Sequence, residues 1–263
     1  MIATLDQYIA AAKQRLTWMK SSSRTGVAVM PESVFDVAGN PGAGTLNVGN
    51  TANGLVHTDA IAGYPIINAF GGAAIGYISK VEFGNSVACW LDLYDRLFVA
   101  GAYAYNANVT LASQPSYSGR VPGGNDYLGL QLWVEGVTAF TGNLSINVGY
   151  RNQAAADVTT GVIATGIAPI LGRCIQLPLA AGDNGIQRLN SVIATVATVG
   201  TFNLMVLRPL WSGRCMIAGA GDAHDLLRTG MPQVFADSAL YALITADSTA
   251  TGIPDATVEV ANA

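Results

Sequence analysis

Residues 144–151 read Leu-Ser-Ile-Asn-Val-Gly-Tyr-Arg, and no other stretch of the chain indicates the fold class as clearly. Apolar side chains occupy every second position, and small or polar residues lie between them. Successive side chains of a β-strand point to opposite faces of a sheet. The alternation therefore predicts a strand with one face buried against a core and the other face open.

The same two-residue period recurs from residue 76 onward. Each run is short, rich in β-branched or aromatic residues, and bounded by Gly, Asn, Asp or Pro. The other runs are 78–83, 87–94, 128–134, 175–179, 190–196, 202–207, 238–246 and 256–261. Because no long helical pattern separates them, we expect a mainly β protein, with one antiparallel β-sandwich of jelly-roll character at 76–263.

Local signals predict how some of these runs are connected. Gly84-Asn85 lies between the first two runs and predicts a β-hairpin. Gly142-Asn143 separates another pair of runs. One short helix is predicted at 223–228, with Asp222 as its N-cap and Gly230 after its end.

The N-terminal residues 4–20 have the pattern of an amphipathic helix, and Thr4 and Gln7 have the spacing of a capping box. Apolar residues recur every three or four positions and form one stripe. A helix isolated by a serine-rich linker needs a surface to pack on. We therefore predict a helical arm at 1–25, docked either on its own β-domain or on a neighbouring subunit. The residues expected at the arm interface are Leu5, Ile9, Leu16 and Met19.

The composition favours an assembled protein. Only 11% of the residues are charged and 51% are hydrophobic, and the formal net charge is −4. A surface so poor in charge does little to suppress association, so we expect a homo-oligomer whose surface is covered by protein neighbours. Residues 26–75 are rich in turn-forming residues and are predicted to be an extended segment. No basic stripe predicts nucleic-acid binding. No apolar run approaches the ~18 residues of a membrane span, so no membrane contact is expected.

Residues that commonly carry chemistry are scarce, and we expect no enzyme, catalytic residue, cofactor or metal. The chain has two histidines and no nucleophile-elbow, zinc or phosphate-loop motif. Glu82, Asp92 and Asp95 suggest a metal site, although an ion pair of Asp95 with Arg96 at a hairpin end explains them more simply. The cluster 222–225 suggests a metal or a base, although helix capping is the simpler interpretation.

Three cysteines, Cys89, Cys174 and Cys215, are far apart and predict buried thiols; an inter-subunit disulfide is the alternative. A second open alternative concerns aromatic residues. Tyrosines at predicted loops, with Trp90 and Trp133 nearby, form a possible contact surface for a carbohydrate or for another protein. These tyrosines are Tyr103, Tyr105, Tyr117 and Tyr127.

Four segments carry a family resemblance. The run DVAGNPGAGTLNVGN at 36–50 is the longest, and the others are NAFGG at 68–72, LYDRLF at 93–98 and LRPLW at 207–211. Together they resemble a family of virion structural proteins encoded by tailed bacteriophages and prophages, over most of the chain. The resemblance implies a place in the virion, assembled in the cytoplasm of a bacterial host, and assigns no catalytic residue.

These observations predict a structural protein of a phage particle. The expected role is a capsid-associated decoration, cement or minor capsid protein that stabilises the head through contacts with copies of itself, with the major capsid protein or with other virion subunits. The alternative is a tail or fibre protein that binds a host surface glycan. An enzyme such as a glycan-degrading tailspike ranks third, because neither a carboxylate-lined groove nor a long repeat is evident in the sequence.

Overall fold

The computed structural model describes residues 2, 4–70, 75–141, 144–165, 170–195 and 199–262. Strands account for 51% of the chain and helices for 7%, and the sheets are antiparallel. The predicted class, a mainly β protein with antiparallel β-sandwich packing and an N-terminal helix, is confirmed, although the helix is shorter than predicted.

The helices are α1 (Leu5–Ala10) and α2 (Leu226–Thr229), with short 3-10 turns at Ser118–Arg120 and Pro122–Gly124. The strands of the first half are β1 (Lys13–Lys20), β2 (Pro31–Ser33), β3 (Gly39–Asn40), β4 (Asn50–Val56), β5 (Ile75–Asn85), β6 (Cys89–Ala104), β7 (Asn108–Thr110) and β8 (Gln131–Thr138). Those of the second half are β9 (Leu144–Asn152), β10 (Asp157–Thr159), β11 (Ile163–Thr165), β12 (Cys174–Leu177), β13 (Ile186–Ala194), β14 (Thr201–Cys215), β15 (Gly221–His224), β16 (Gln233–Phe235), β17 (Leu240–Ala246) and β18 (Pro254–Asn262).

The chain forms two compact units, each built from segments distant in sequence. Unit 1 comprises Met1–Gly44, Thr58–Asp95 and Leu210–Ala263, and unit 2 comprises Thr45–His57 and Arg96–Pro209. Unit 1 therefore draws on all three regions distinguished in the sequence, namely 1–25, 26–75 and 76–263. The independent role of residues 1–25 as an arm stays a prediction.

Unit 1 is a β-sandwich. One layer is a sheet with the order β15-β5-β18-β1-β3, in which β16 also pairs with β5. The other layer consists of β2, β17 and the residues of β6 and β14 that belong to this unit. Both layers contribute side chains to one core, among them Leu16, Trp18, Val81, Leu91 and Ile244.

Unit 2 has the same sandwich construction. Its first layer has the order β10-β9-β13-β7, with β11 beside β9. The second layer consists of β4, β8, β12 and the unit's own residues of β6 and β14. The predicted alternation is confirmed for residues 145–151, because Ile146, Val148 and Tyr150 are fully buried in the unit 2 core.

The predicted hairpin at Gly84-Asn85 is wrong. β5 ends at Asn85 and belongs to the sheet of β18, whereas β6 begins at Cys89 and belongs to the sheet of β17. The connection crosses from one layer of the sandwich to the other. The Asn85 side chain donates to the Thr251 carbonyl oxygen (2.8 Å), a long-range contact that a local turn signal does not reveal. The Gly142-Asn143 connection and Val196 lie outside the described residues.

The predicted helix at 4–20 is too long. The capping box of Thr4 and Gln7 is present, but α1 ends at Ala10 and the following residues form β1. Residues 13–20 also alternate with a period of two, and pairing with β18 selects the strand over the helix. The short helix near residue 226 is also displaced, because Asp225 caps it instead of Asp222; Gly230 follows its end as predicted.

Candidate interaction surfaces

The first candidate surface is the N-terminal arm. It was predicted at 1–25, and from here on the name refers to residues 4–10, the N-cap and helix α1. Tyr8 anchors it: the hydroxyl donates to the Glu259 carboxylate (3.0 Å), and burial together with this carboxylate raises the pKa of Tyr8. Lys13 donates to the Tyr8 carbonyl oxygen (2.8 Å) and lies over the tyrosine ring. The other arm residues are exposed, and Leu5 and Ile9 are each 65% exposed. One helical turn separates these two side chains, so they form a small apolar face without cover from the described part of the chain.

The structure separates the four residues predicted at the arm interface. Leu16 is only 6% exposed and packs in the core of unit 1, so it is not available to a partner. Met19 is 46% exposed but lies on β1, outside the arm. In one continuous helix all four positions would lie on the same face, which is why the helical interpretation grouped them. In a strand, positions 16 and 19 point to opposite faces. Leu5 and Ile9 remain as the exposed pair.

The second candidate surface is the acidic groove, a depression of about 710 Å³ lined by Glu82, Phe83, Gly84, Asn85, Gly219, Ala220, Gly221, Asp222, Ala223, Ile253, Asp255 and Thr257. Gly84 and Gly221 lie opposite each other where β5 pairs with β15, so the floor there has no side chains. Carboxylates of Glu82 and Asp255 line the groove, whereas the Asp222 side chain lies on the side of Phe83 and bonds His224.

The carboxyl groups of Glu82 and Asp222 both lie beside cations, Lys80 and Arg228. A hydrogen bond from Lys80 lowers the pKa of Glu82. The backbone N–H of Ala223 lowers the pKa of Asp222, and His224 and Arg228 add to this effect. Lys80 and Arg228 pair with these carboxylates and offset much of their negative charge.

Apolar side chains border the acidic groove at the loops that follow β5, β14 and β17. Ile253, on the groove wall, is exposed, and so are Met216 and Ile217 in the turn that leads to Gly219. Hydrogen bonds hold these loops together: Gly219 N–H donates to the Asn85 carbonyl (2.8 Å), and Ile253 N–H donates to the Ser86 hydroxyl (2.9 Å). A groove with a glycine floor and an apolar rim suits a protein partner that presents apolar side chains.

A third exposed surface surrounds Trp90 on β6. The Arg214 guanidinium lies 5.0 Å from the centre of the indole ring and also pairs with Asp247 at 3.5 Å. Nearby, burial raises the pKa of Asp92. An exposed indole beside hydrogen-bonding groups is a surface that can contact a sugar ring or a protein.

Unit 2 carries a polar groove of about 610 Å³, lined by residues 110–116 together with Asp157, Gln187, Arg188 and Asn190. Asp157 accepts hydrogen bonds from Arg151 and Asn190, and these lower the pKa of Asp157 to about 2. The lining is rich in amide, hydroxyl and charged groups. The groove offers hydrogen bonds to a polar ligand but has no aromatic side chain in its lining for stacking.

The aromatic residues predicted to form a contact loop lie mainly in the core of unit 2. Tyr103, Tyr105 and Tyr117 are buried, and Tyr127 is half-buried. The Tyr103 hydroxyl donates to the Thr51 carbonyl oxygen, and the Tyr117 hydroxyl donates to that of Ile186 (both 2.8 Å). The first three therefore do not form a ligand-binding surface. Tyrosine occurs both in cores and in loops, so the sequence did not distinguish the two, and the exposed Trp90 is the aromatic residue that fits the expectation.

The acidic residues singled out in the sequence have separate structural roles. Asp95 is buried and accepts hydrogen bonds from the Ser238 hydroxyl (2.8 Å) and the Ala239 N–H (3.0 Å). Arg96, its neighbour on β6, donates to Glu135 (2.6 Å) inside unit 2. Among the described residues, no group of three or more His, Cys, Asp or Glu side chains is placed to hold a metal ion.

Both histidines are buried. Trp211 donates to Nδ1 of His224 (3.0 Å), so Nε2 carries the proton that is donated to Asp222 (3.1 Å). Burial, assisted by Arg96 and Arg120, lowers the pKa of His57 well below its ordinary value. His224 at the end of β15 therefore belongs to a core contact with Trp211, a role that the helix-capping interpretation missed.

The three cysteines are buried free thiols, as predicted. Burial raises the pKa of the Cys89 thiol, which makes it a poor nucleophile. Within the described ranges, no helix is both long and apolar enough to cross a membrane.

Comparisons with known proteins give only weak similarities. No family model matches the chain, and no curated protein matches it significantly. The chain aligns with the structure of infectious bursal disease virus strain Gx at 8% identity, over 95% of this chain and 80% of that one, with a TM-score of 0.16. The VP2 subviral particle of the same virus aligns at 8% identity, over 95% of this chain and 79% of that one, with a TM-score of 0.15. Its T13 viral particle aligns at 9% identity, over 96% of this chain and 74% of that one, with a TM-score of 0.13. Scores this low do not indicate a shared fold.

Proposed function

We propose that this chain is a non-enzymatic structural subunit of a virus particle and that it acts by packing against copies of itself and against other subunits. The observation that carries the proposal is the arm. Its capping box and the Tyr8–Glu259 hydrogen bond hold the helix in place, yet Leu5 and Ile9 are directed to solvent. A short helix ordered in this way with its apolar face open is suited to a protein partner.

The energetics of the arm fit repeated assembly. Covering one leucine and one isoleucine side chain that are each about two-thirds exposed contributes roughly 1–2 kcal/mol apiece. One such contact is weak, but a shell repeats it in every subunit. The low charged fraction of 11% reduces the repulsion that would otherwise oppose close packing.

Within a particle we propose a capsid-associated role in a tailed phage, as a decoration, cement or minor capsid protein. The segments at 36–50 and 207–211 that resemble phage virion proteins support this choice. Several side chains of types that often act in catalysis are buried in the folded core and give no support to a catalytic role. Among them are His57, Asp95 and the three cysteines.

Incorporation into particles tests the proposal. Particles of the virus that encodes the chain are assembled with wild-type protein, with the double variant Leu5→Glu/Ile9→Glu, or with Ile66→Glu as a matched control. Ile66 is an exposed isoleucine outside the arm, so its variant carries the same chemical change elsewhere. We expect wild-type and Ile66→Glu chains in purified particles and at least a tenfold loss of the double variant. Absence of the wild-type chain from the particles would refute the structural role.

The surface around Trp90 supports one alternative, a tail or fibre protein that binds a host glycan. The indole is exposed and bordered by Arg214, Asp247 and Asp92. Glycan-array binding by the purified chain, lost in Trp90→Ala, would favour this alternative. No glycan binding above background would exclude it.

A further inference from the structure

The register of two neighbouring strands in unit 1 is evident from their outward-facing side chains. β6 and β14 are adjacent in their sheet. The Arg214 guanidinium on β14 lies over the indole ring of Trp90 on β6. Two residues farther along β6, Asp92 accepts a hydrogen bond from Ser212, which lies two residues earlier on β14. The strands are therefore antiparallel, with Trp90 opposite Arg214 and Asp92 opposite Ser212.

The same register places two cysteines opposite each other, one step from the Trp90–Arg214 pair. Cys89 is the first residue of β6, and Cys215 is the last residue of β14. Neighbouring positions of a strand point to opposite faces, so both thiols point into the core of unit 1, where they are buried. Burial is the main cause of the raised pKa of the Cys89 thiol, and the nearby Cys215 adds to this shift.

The spacing of facing strands suits a disulfide. The Cα atoms of directly opposed residues on antiparallel strands are about 4.5–5.5 Å apart. A disulfide joins residues whose Cα atoms are about 4.4–6.8 Å apart. Rotation of the Cys89 and Cys215 side chains is therefore sufficient to bring the two sulfur atoms together, and the backbone need not move.

The hydrogen bonds of both thiols are weak, and Cys215 lies beneath an exposed turn. The Asn85 side chain donates to Sγ of Cys89 (3.1 Å), and the Cys215 thiol donates to the carbonyl oxygens of Ile217 and Ala220 (both 3.2 Å). All residues of the turn 216–220 are exposed. Local opening of this turn gives a small reagent access to Cys215.

We propose that Cys89 and Cys215 are a redox-sensitive pair, which forms a disulfide across β6 and β14 when the chain meets a small-molecule disulfide such as oxidised glutathione. The inference goes beyond the proposed structural function and does not depend on it. Cys174 has a different environment, because it lies opposite Glu135 on β8, and it stays a free thiol.

The oxidation takes place in two exchange steps. Cys215 loses its proton to solvent and attacks one sulfur of oxidised glutathione, and the first glutathione leaves as a thiolate. Cys89 then loses its proton and attacks the Cys215 sulfur of the mixed disulfide, so the second glutathione leaves. Two electrons pass from the cysteines to glutathione, and the two glutathione thiolates take up the two protons.

The position of the pair in the chain determines the effect of the bond. The loop that it closes comprises residues 90–214, which include residues 96–209 of unit 2. A disulfide lowers the entropy of the unfolded chain, and a longer loop gives a larger effect. Oxidation should therefore stabilise the folded chain. Reduction should remove this stabilisation without unfolding unit 1, because both free thiols already pack in its core.

Thiol counting and peptide mapping test the pair. The purified full-length chain is treated with a glutathione redox buffer, either in the folded state or during refolding from urea, and the remaining free thiols are blocked before digestion with trypsin. The three cysteines fall on separate tryptic peptides, 81–96, 174–188 and 215–228.

We expect the three free thiols to fall to one, on a chain that remains monomeric in a non-reducing gel. Peptide 81–96 should be joined to 215–228, and the thiol of 174–188 should be blocked. Three free thiols after both treatments would overturn the proposal, as would a disulfide that includes Cys174 or joins two chains.

Thermal unfolding tests the effect on stability. The oxidised wild type should have a Tm about 5 °C or more above that of the reduced protein, and dithiothreitol should reverse this rise. Each variant is compared with itself in the two redox states, which cancels the cost of the substitution. Cys215→Ala should have the same Tm in both states, whereas Cys174→Ala, the matched control, should respond as the wild type does. No rise in the oxidised wild type, or an equal rise in Cys215→Ala, would overturn the proposal.

Discussion

Single residues in both units show that the scarce charges of this chain are used inside the fold. Arg96 and Glu135 are both fully buried and form an ion pair at 2.6 Å, and Asn203 donates a second hydrogen bond to the same carboxylate oxygen (3.0 Å). Lys20 is buried as well and donates to the carbonyl oxygens of Val37 and Pro41. Sequence patterns treat such residues as surface charges, so their burial could not be anticipated.

Removing one partner of the buried pair should be costly. Glu135→Gln leaves the Arg96 guanidinium buried without its carboxylate, and we expect a loss of about 3–5 kcal/mol in the free energy of unfolding. Urea denaturation followed by fluorescence measures this loss. Asp157→Asn, which removes an exposed carboxylate paired with Arg151, is the control and should leave the stability nearly unchanged. Equal effects of the two substitutions would contradict the buried position of the pair.

Lys20 gives a pH-dependent prediction. Burial lowers its pKa from 10.5 to about 8, and Asp36 opposes part of this shift. The unfolded chain therefore holds the proton to higher pH than the folded chain, and the destabilising effect of the buried charge is relieved as the pH rises from 8 to 10.5. Between pH 8 and about pH 10, wild type should gain about 1–2 kcal/mol of stability relative to Lys20→Met.

Paired urea titrations at the two pH values measure this difference. Lys13→Met, at an exposed position on the same strand, serves as the control and should follow the wild type. The Lys20 assignment fails if wild type and Lys20→Met change in parallel between the two pH values.

At the scale of elements, the sequence predicted strands well and connections poorly. The alternation in 144–151 was sufficient to predict β9, because one face of this strand is buried and burial of one face leaves a two-residue pattern in the sequence. In residues 13–20 a helical and a strand pattern overlap, and only pairing with β18, more than two hundred residues away, decides between them. The hairpin prediction at Gly84-Asn85 was wrong because it also depended on distant pairing. A local turn signal does not determine which sheet the next strand joins.

The border between α1 and β1 gives an element-scale prediction. Leu16→Ala should cost about 2–5 kcal/mol in unfolding free energy, because it creates a cavity in the unit 1 core. Leu5→Ala should change the stability by no more than about 0.5 kcal/mol, because this side chain is exposed. Thermal and urea unfolding compare the two variants. A large loss of stability in Leu5→Ala would show that the arm packs on its own chain.

At the scale of the whole molecule, the candidate surfaces were only partly predictable. The sequence predicted Leu5 and Ile9 as interface residues, and the structure leaves both side chains exposed; their contact with a partner stays a prediction. The start of the helix could be predicted because a capping box depends on local residues alone. The acidic groove was not predicted: Glu82, Asp222 and Asp255 come from three strands whose adjacency depends on the sheet order β15-β5-β18. Tyrosines expected on the surface proved to be core residues because composition does not distinguish a large buried ring from an exposed one.

The most direct test of the structural role is a cryo-EM map of intact particles from the virus that encodes this chain. We expect density for the β-sandwich units at regular positions of the particle, with Leu5 and Ile9 of every copy covered by a neighbouring protein chain. A particle that lacks the chain, or one in which both side chains of every copy face solvent, would contradict the proposed function.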